Sequence, residues 1–86
     1  MDLDPLVSAI EAALRSDWDR AHAIVQKLDG PLACWVHAIL HKIEGDAGNS
    51  RYWYARSGGR RDDDFSDPQQ ELAAALMAAR AMTKAK

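Results

Sequence analysis

The three prolines constrain this chain more than any other feature. Asp4-Pro5, Gly30-Pro31 and Asp67-Pro68 each set a capping residue before a proline. A proline suits the first helical position, where its missing N–H goes unused and its fixed φ fits, and it disrupts a helix interior or a central strand. Three helix starts are thereby marked. Aspartate after a turn, in Ser16-Asp17 and Gly45-Asp46, marks two more, because its carboxylate can accept bonds from the free amides of a first turn. No segment alternates apolar and polar residues with the period of two that a half-buried strand needs. The expected fold class is therefore all-α, with about five helices.

Apolar spacing fills in those elements. Leu6, Val7, Ile10 and Leu14 make one stripe over residues 5–15, and Trp18, Ala21, Ile24, Val25 and Leu28 make another over 18–28. Residues 31–44 present Leu32, Trp35, Val36, Ile39, Leu40 and Ile43 on one face and Cys34, His37, Ala38 and His41 on the other. So little of that segment is polar that it is expected to be the central, most enclosed helix. A fourth helix over 48–56 carries Tyr52, Trp53 and Tyr54, and a fifth over 69–83 is rich in alanine with Leu72, Leu76 and Met77. Between them, residues 57–67 hold glycine, serine and charge around a single large apolar residue, Phe65, which reads as a mobile surface connection. The 86 residues suit one domain. Its parts are a hairpin at about 5–28, a second at about 31–57, the connection at 57–67 and a terminal helix at 68–84.

With 48% hydrophobic and 28% charged residues and a net charge of -2, the composition is that of a soluble globular protein. Arg56, Arg60 and Arg61 are followed directly by Asp62-Asp63-Asp64, which cancels their field, so a nucleic-acid partner is not expected. A basic leader and an apolar run long enough to span a membrane are both missing from the sequence, so neither secretion nor membrane association is expected. One cysteine, Cys34, fits a reducing cytoplasm.

The chain also matches itself. A shift of 29 residues lays Leu6-Val7-Ser8-Ala9-Ile10 on Trp35-Val36-His37-Ala38-Ile39, Leu14 on Ile43 and Ser16-Asp17 on Gly45-Asp46. The correspondence continues with Ala21 on Ser50, Val25 on Tyr54, Lys27 on Arg56 and Gly30 on Gly59. Small falls on small, apolar on apolar and turn on turn, as a duplicated helical hairpin requires. With Ala38 and Ser50 flanking the Gly45-Asp46 turn and an aromatic at Tyr54, the hairpin resembles a tetratricopeptide-type repeat, over about residues 6–59. The run WVHAILHKIEGDAGNSRYWYARSGG resembles more closely short microbial proteins that share its His, Glu-Gly-Asp, Asn and Tyr-Trp-Tyr pattern, a group that brings no activity to carry over. The first resemblance implies stacked hairpins and a protein or peptide partner.

His37, His41 and Glu44 are the residues in which site chemistry concentrates. Spacings of four and three place two imidazoles and a carboxylate along one helix face, within reach of one divalent transition metal such as zinc, with His22 or Asp46 as a fourth ligand. The competing reading is a polar seam in which the imidazoles fill core space and bond to neighbouring groups, and it is the one preferred, so neither metal nor cofactor is favoured. Tyr52 and Arg56 could complete a pocket with His37, His41 and Glu44 for a small polar molecule, Arg56 pairing with an anion. A catalytic version would use His41 beside Glu44 as an oriented base and Cys34 near His37 as nucleophile. The apolar surroundings of Cys34 speak against it. The expectation is a protein-binding or scaffold module, homodimeric through the Ala/Met face of residues 72–82, with a small-ligand or metal-binding protein as the alternative.

Overall fold

The Asp4 carboxylate accepts bonds from the amides of Leu6 and Val7, at 3.0 and 3.3 Å, and Pro5 opens helix α1, Pro5–Leu14. Pro31 opens α3, Pro31–Ile43, after Gly30 at φ 102°, and Pro68 opens α5, Pro68–Lys84, where Asp67 accepts from the Gln69 amide at 2.9 Å. Helix α4, Ala47–Tyr54, begins at Asp46, whose side chain accepts from the backbone and side-chain nitrogens of Asn49. Asp17 departs from expectation. It precedes α2, Trp18–Val25, but its side chain makes no capping bond. Helix α2 also stops three residues before 28, because the Lys27 and Leu28 amides tighten onto the carbonyls of Ile24 and Val25. This computed structural model describes residues 4–84, all-α with no strand among them.

The 29-residue correspondence recurs in the backbone. Helix α2 starts at residue 18 and ends at 25, and α4 starts at 47 and ends at 54, a shift of 29 at both ends. The Asp17 amide donates to Ala12 O at 2.8 Å and the Asp46 amide to His41 O at 2.9 Å. Likewise Leu28 donates to Val25 O and Ser57 to Tyr54 O, both at 3.0 Å. Even the left-handed residues match: Ser16 (φ 66°) falls on Gly45 (φ 80°), and Gly30 (φ 102°) on Gly59 (φ 99°). Among the described residues only Ser16 sets a Cβ in that conformation, where glycine alone escapes the steric cost. Ser16→Gly is therefore expected to stabilise the protein by roughly 0.5 to 1 kcal/mol, read as a raised urea midpoint with an unchanged slope. An unchanged or lowered midpoint would remove the claim of strain there.

Helix α1 packs mainly on α2 and α3 mainly on α4, while α2 also lies against α3 and α5 packs on both α1 and α3. Ile10, Val36, Ile39 and Leu72 are fully buried where these helices meet. Helix α3 is enclosed as expected, with Trp35 and Leu40 each 5% exposed. The alanine row of α5 is used inside the chain, since Ala75 and Ala79 are buried, and Met77 and Met82 face outward.

A buried carboxylate joins these layers. Glu71, in the first turn of α5, has no exposed surface. Its Oε2 accepts from the Trp35 indole at 2.8 Å and the Tyr54 hydroxyl at 2.6 Å, and its Oε1 from the Lys42 ammonium at 2.9 Å. Burial, and then the bond to Glu71, raise the Tyr54 hydroxyl pKa well above its usual range. Lys42 also donates to the carbonyls of Asp62 and Phe65, so the connection after α4 is fastened to α3 by bonds that its composition does not announce. Further fastenings are the buried hydroxyl of Ser57, which donates to Tyr54 O at 2.6 Å, and the guanidinium of Arg60, 4.5 Å from the centre of the Trp35 ring. Within it, Asp62–Asp64 form one 3-10 turn with exposed side chains.

Candidate metal centre

His37 and His41 lie one turn apart on α3, and both are buried, at 6% and 9% exposure. Their rings stack with centroids 5.1 Å apart and planes 15° from parallel. Because α2 crosses α3 at this level, it adds a third imidazole, His22, edge-on to both, with centroids 4.8 Å from His37 and 5.4 Å from His41. One ring nitrogen from each of the three lies within 4.8 Å of the other two. The Nε2 atoms of His22 and His37 are 3.0 Å apart, a separation at which one must carry a proton and the other accept it.

The outer parts of the cluster hold these rings in place. Glu44, at the C-terminal end of α3, puts Oε1 2.7 Å from His41 Nδ1. Asp46 Oδ2 lies 3.9 Å from the same nitrogen. With Nδ1 engaged, Nε2 is the His41 nitrogen left for another partner. The indole of Trp53 covers His37 on another side, stacked at 4.0 Å and 11°. Three consecutive aromatics cannot share one helix face, and the structure distributes them. Tyr54 turns inward to Glu71, Trp53 turns to the imidazoles, and Tyr52 stays 49% exposed under the Arg56 guanidinium, 3.7 Å from its ring centre.

Burial removes water from His37, and His22 and His41 add like charge when protonated. Together these lower its pKa from 6.5 to about 4. At neutral pH the ring is uncharged, the form that ligates metals. Asp46 is also held below its ordinary value, first by the Asn49 side chain that donates to it.

No family model matches the chain, and no curated protein or solved structure is significantly similar to it. The site must be judged on its own chemistry. Of the residues singled out in the sequence, His37 and His41 are together, and Glu44 bonds the ring edge of His41 that Nδ1 occupies. His22, offered by the sequence as a fourth ligand from outside the helix, is the third nitrogen donor, 15 residues from His37 in the chain. Tyr52 and Arg56 stand beyond Trp53, which interposes its ring between them and His37. Cys34 is partly buried and does not join the nitrogen cluster. Two clefts of about 320 and 360 Å³ lie elsewhere, along α4 and the 3-10 turn, sharing Arg51, Asp62 and Asp63, and no imidazole lines either.

Proposed function

We propose that this protein binds one divalent transition metal ion through His22, His37 and His41. The observation that carries the reading is the convergence of three imidazole nitrogens from two helices in a partly buried cluster. Two ligands of a tetrahedral zinc ion at about 2.0 to 2.1 Å stand about 3.3 Å apart. The 3.0 Å between His22 and His37 is within a few tenths of an ångström of that value. The His41 ring lies nearly parallel to that of His37, so it would have to turn for its free nitrogen to join the pair. Ligation through both Nε2 atoms would require the proton between them to move to the Nδ1 of its own ring, which leaves both imidazoles neutral.

Glu44 completes the design by fixing the His41 tautomer, the carboxylate–imidazole arrangement that orients a ligand and raises its basicity. Protein stripped with chelator and titrated calorimetrically with zinc is expected to take up one ion per chain, and His22→Gln and His41→Gln to abolish that uptake. Metal at a hundredfold excess over its dissociation constant should stabilise the fold by about 2.7 kcal/mol. Variants that lose stability while the wild type takes up no zinc would establish a packed polar seam instead.

The helical-repeat reading draws separate support from the 29-residue recurrence of turns and hydrogen bonds. On that reading the exposed Tyr52, Met77 and Met82 are the side chains that a protein partner or a second copy would meet first.

A further inference from the structure

Resting on the metal reading, we infer that the ion keeps a fourth coordination position open to an exchangeable small anion or water, rather than closing its shell with protein. Three features carry this inference. Among the described residues the nitrogen cluster numbers three, and the carboxylates nearest to it are grouped with His41 alone. Glu44 holds Nδ1 of that ring at 2.7 Å, and Asp46 lies near the same nitrogen at 3.9 Å. Asp46 is further committed to capping α4 through both nitrogens of Asn49. A carboxylate bonded to one edge of an imidazole cannot ligate an ion on the other edge without giving up that bond. Solvent reaches the cluster at His22, which is only partly buried, while His37 is stacked under the Trp53 indole.

Three histidine nitrogens with one free position is the arrangement of a Lewis-acidic site, whereas structural zinc sites fill all four positions with protein. The ligand class is a small monodentate anion, a carboxylate or hydroxide oxygen or an azide nitrogen, that coordinates without a protein partner of opposite charge. Glu44 then acts as a positioning residue through His41, and Glu44→Gln should weaken zinc binding about 10- to 100-fold while leaving one ion per chain.

Cobalt(II) loaded in place of zinc reports the shell directly through its visible d–d bands. Strong tetrahedral bands that shift on adding azide and saturate at one azide per metal are the expected result, in the wild type and in Glu44→Gln alike. Bands that form and do not respond to azide would overturn the open position and leave metal binding standing. A response gained only in Glu44→Gln would place Glu44 on the ion and also overturn it. If no bands form because no cobalt binds, the metal reading fails and this inference falls with it.

Discussion

Replacing Glu71 with alanine is expected to cost about 3 to 5 kcal/mol, the range found when one partner of a buried ion pair is removed. A domain of this size holds about 5 to 15 kcal/mol in total, so the variant should be partly or wholly unfolded at room temperature. The carboxylate has no exposed surface and satisfies three donors from two other helices. Its removal leaves the Trp35 N–H, the Tyr54 hydroxyl and the Lys42 ammonium facing a void. The donors are costly to strand because their water is already gone. Position matters as well: Glu71 sits in the first turn of α5, where the free amides favour negative charge. Tyr54→Phe removes one bond and should cost only about 1 to 2 kcal/mol. Urea unfolding of the two variants checks both. A loss for Glu71→Ala no larger than for an exposed substitution would show that this hub does not hold α5 to α3 and α4.

Glu71 was hidden in the sequence for a physical reason. In ELAAALMAAR it reads as an ordinary first-turn acid in solvent, and its partners lie 17 to 36 residues away, where no local pattern reaches. Helix starts were legible because a proline or a capping aspartate acts within one turn of itself. Asp17 shows the limit, since position fixed its role and its side chain still makes no bond. The same contrast divides the candidate site. His41 and Glu44 are an i, i+3 pair and were visible as such, whereas His22 joins them only because α2 packs across α3. The 29-residue correspondence does not supply the cluster either. In the 29-residue register His37 falls on Ser8, His41 on Ala12 and His22 on Arg51, so the imidazoles meet only where the first helical pair touches the second. The connection after α4 looked loose by composition, and its fastening to Lys42 depends on a lysine in a different helix.

Acid should destabilise the protein through His37. Its folded pKa is about 4, below the 6.5 of an unfolded chain. Between those values the unfolded state binds one more proton than the native state, so stability rises with pH across the window and is fully present above it. Each pH unit can contribute up to about 1.4 kcal/mol for one proton, and the whole window on the order of 2 to 3 kcal/mol once local relaxation lowers the ideal figure. The groups facing the ring are His22 from α2, His41 on α3 and Trp53 from α4, with Glu44 and Asp46 acting through His41. A proton on His37 would break its hydrogen bond to His22 unless His22 accepts, and it would place a cation against two other imidazoles. His37→Gln keeps a polar group without the titration, and its urea midpoint should vary much less between about pH 4 and 6.5 than that of the wild type. Equal slopes in the two proteins would mean that His37 protonates freely in the folded chain. Bound zinc should steepen the wild-type dependence, because the ion and the protons compete for the same nitrogens. The comparison with and without metal therefore links the titration of this ring to its proposed role as a ligand.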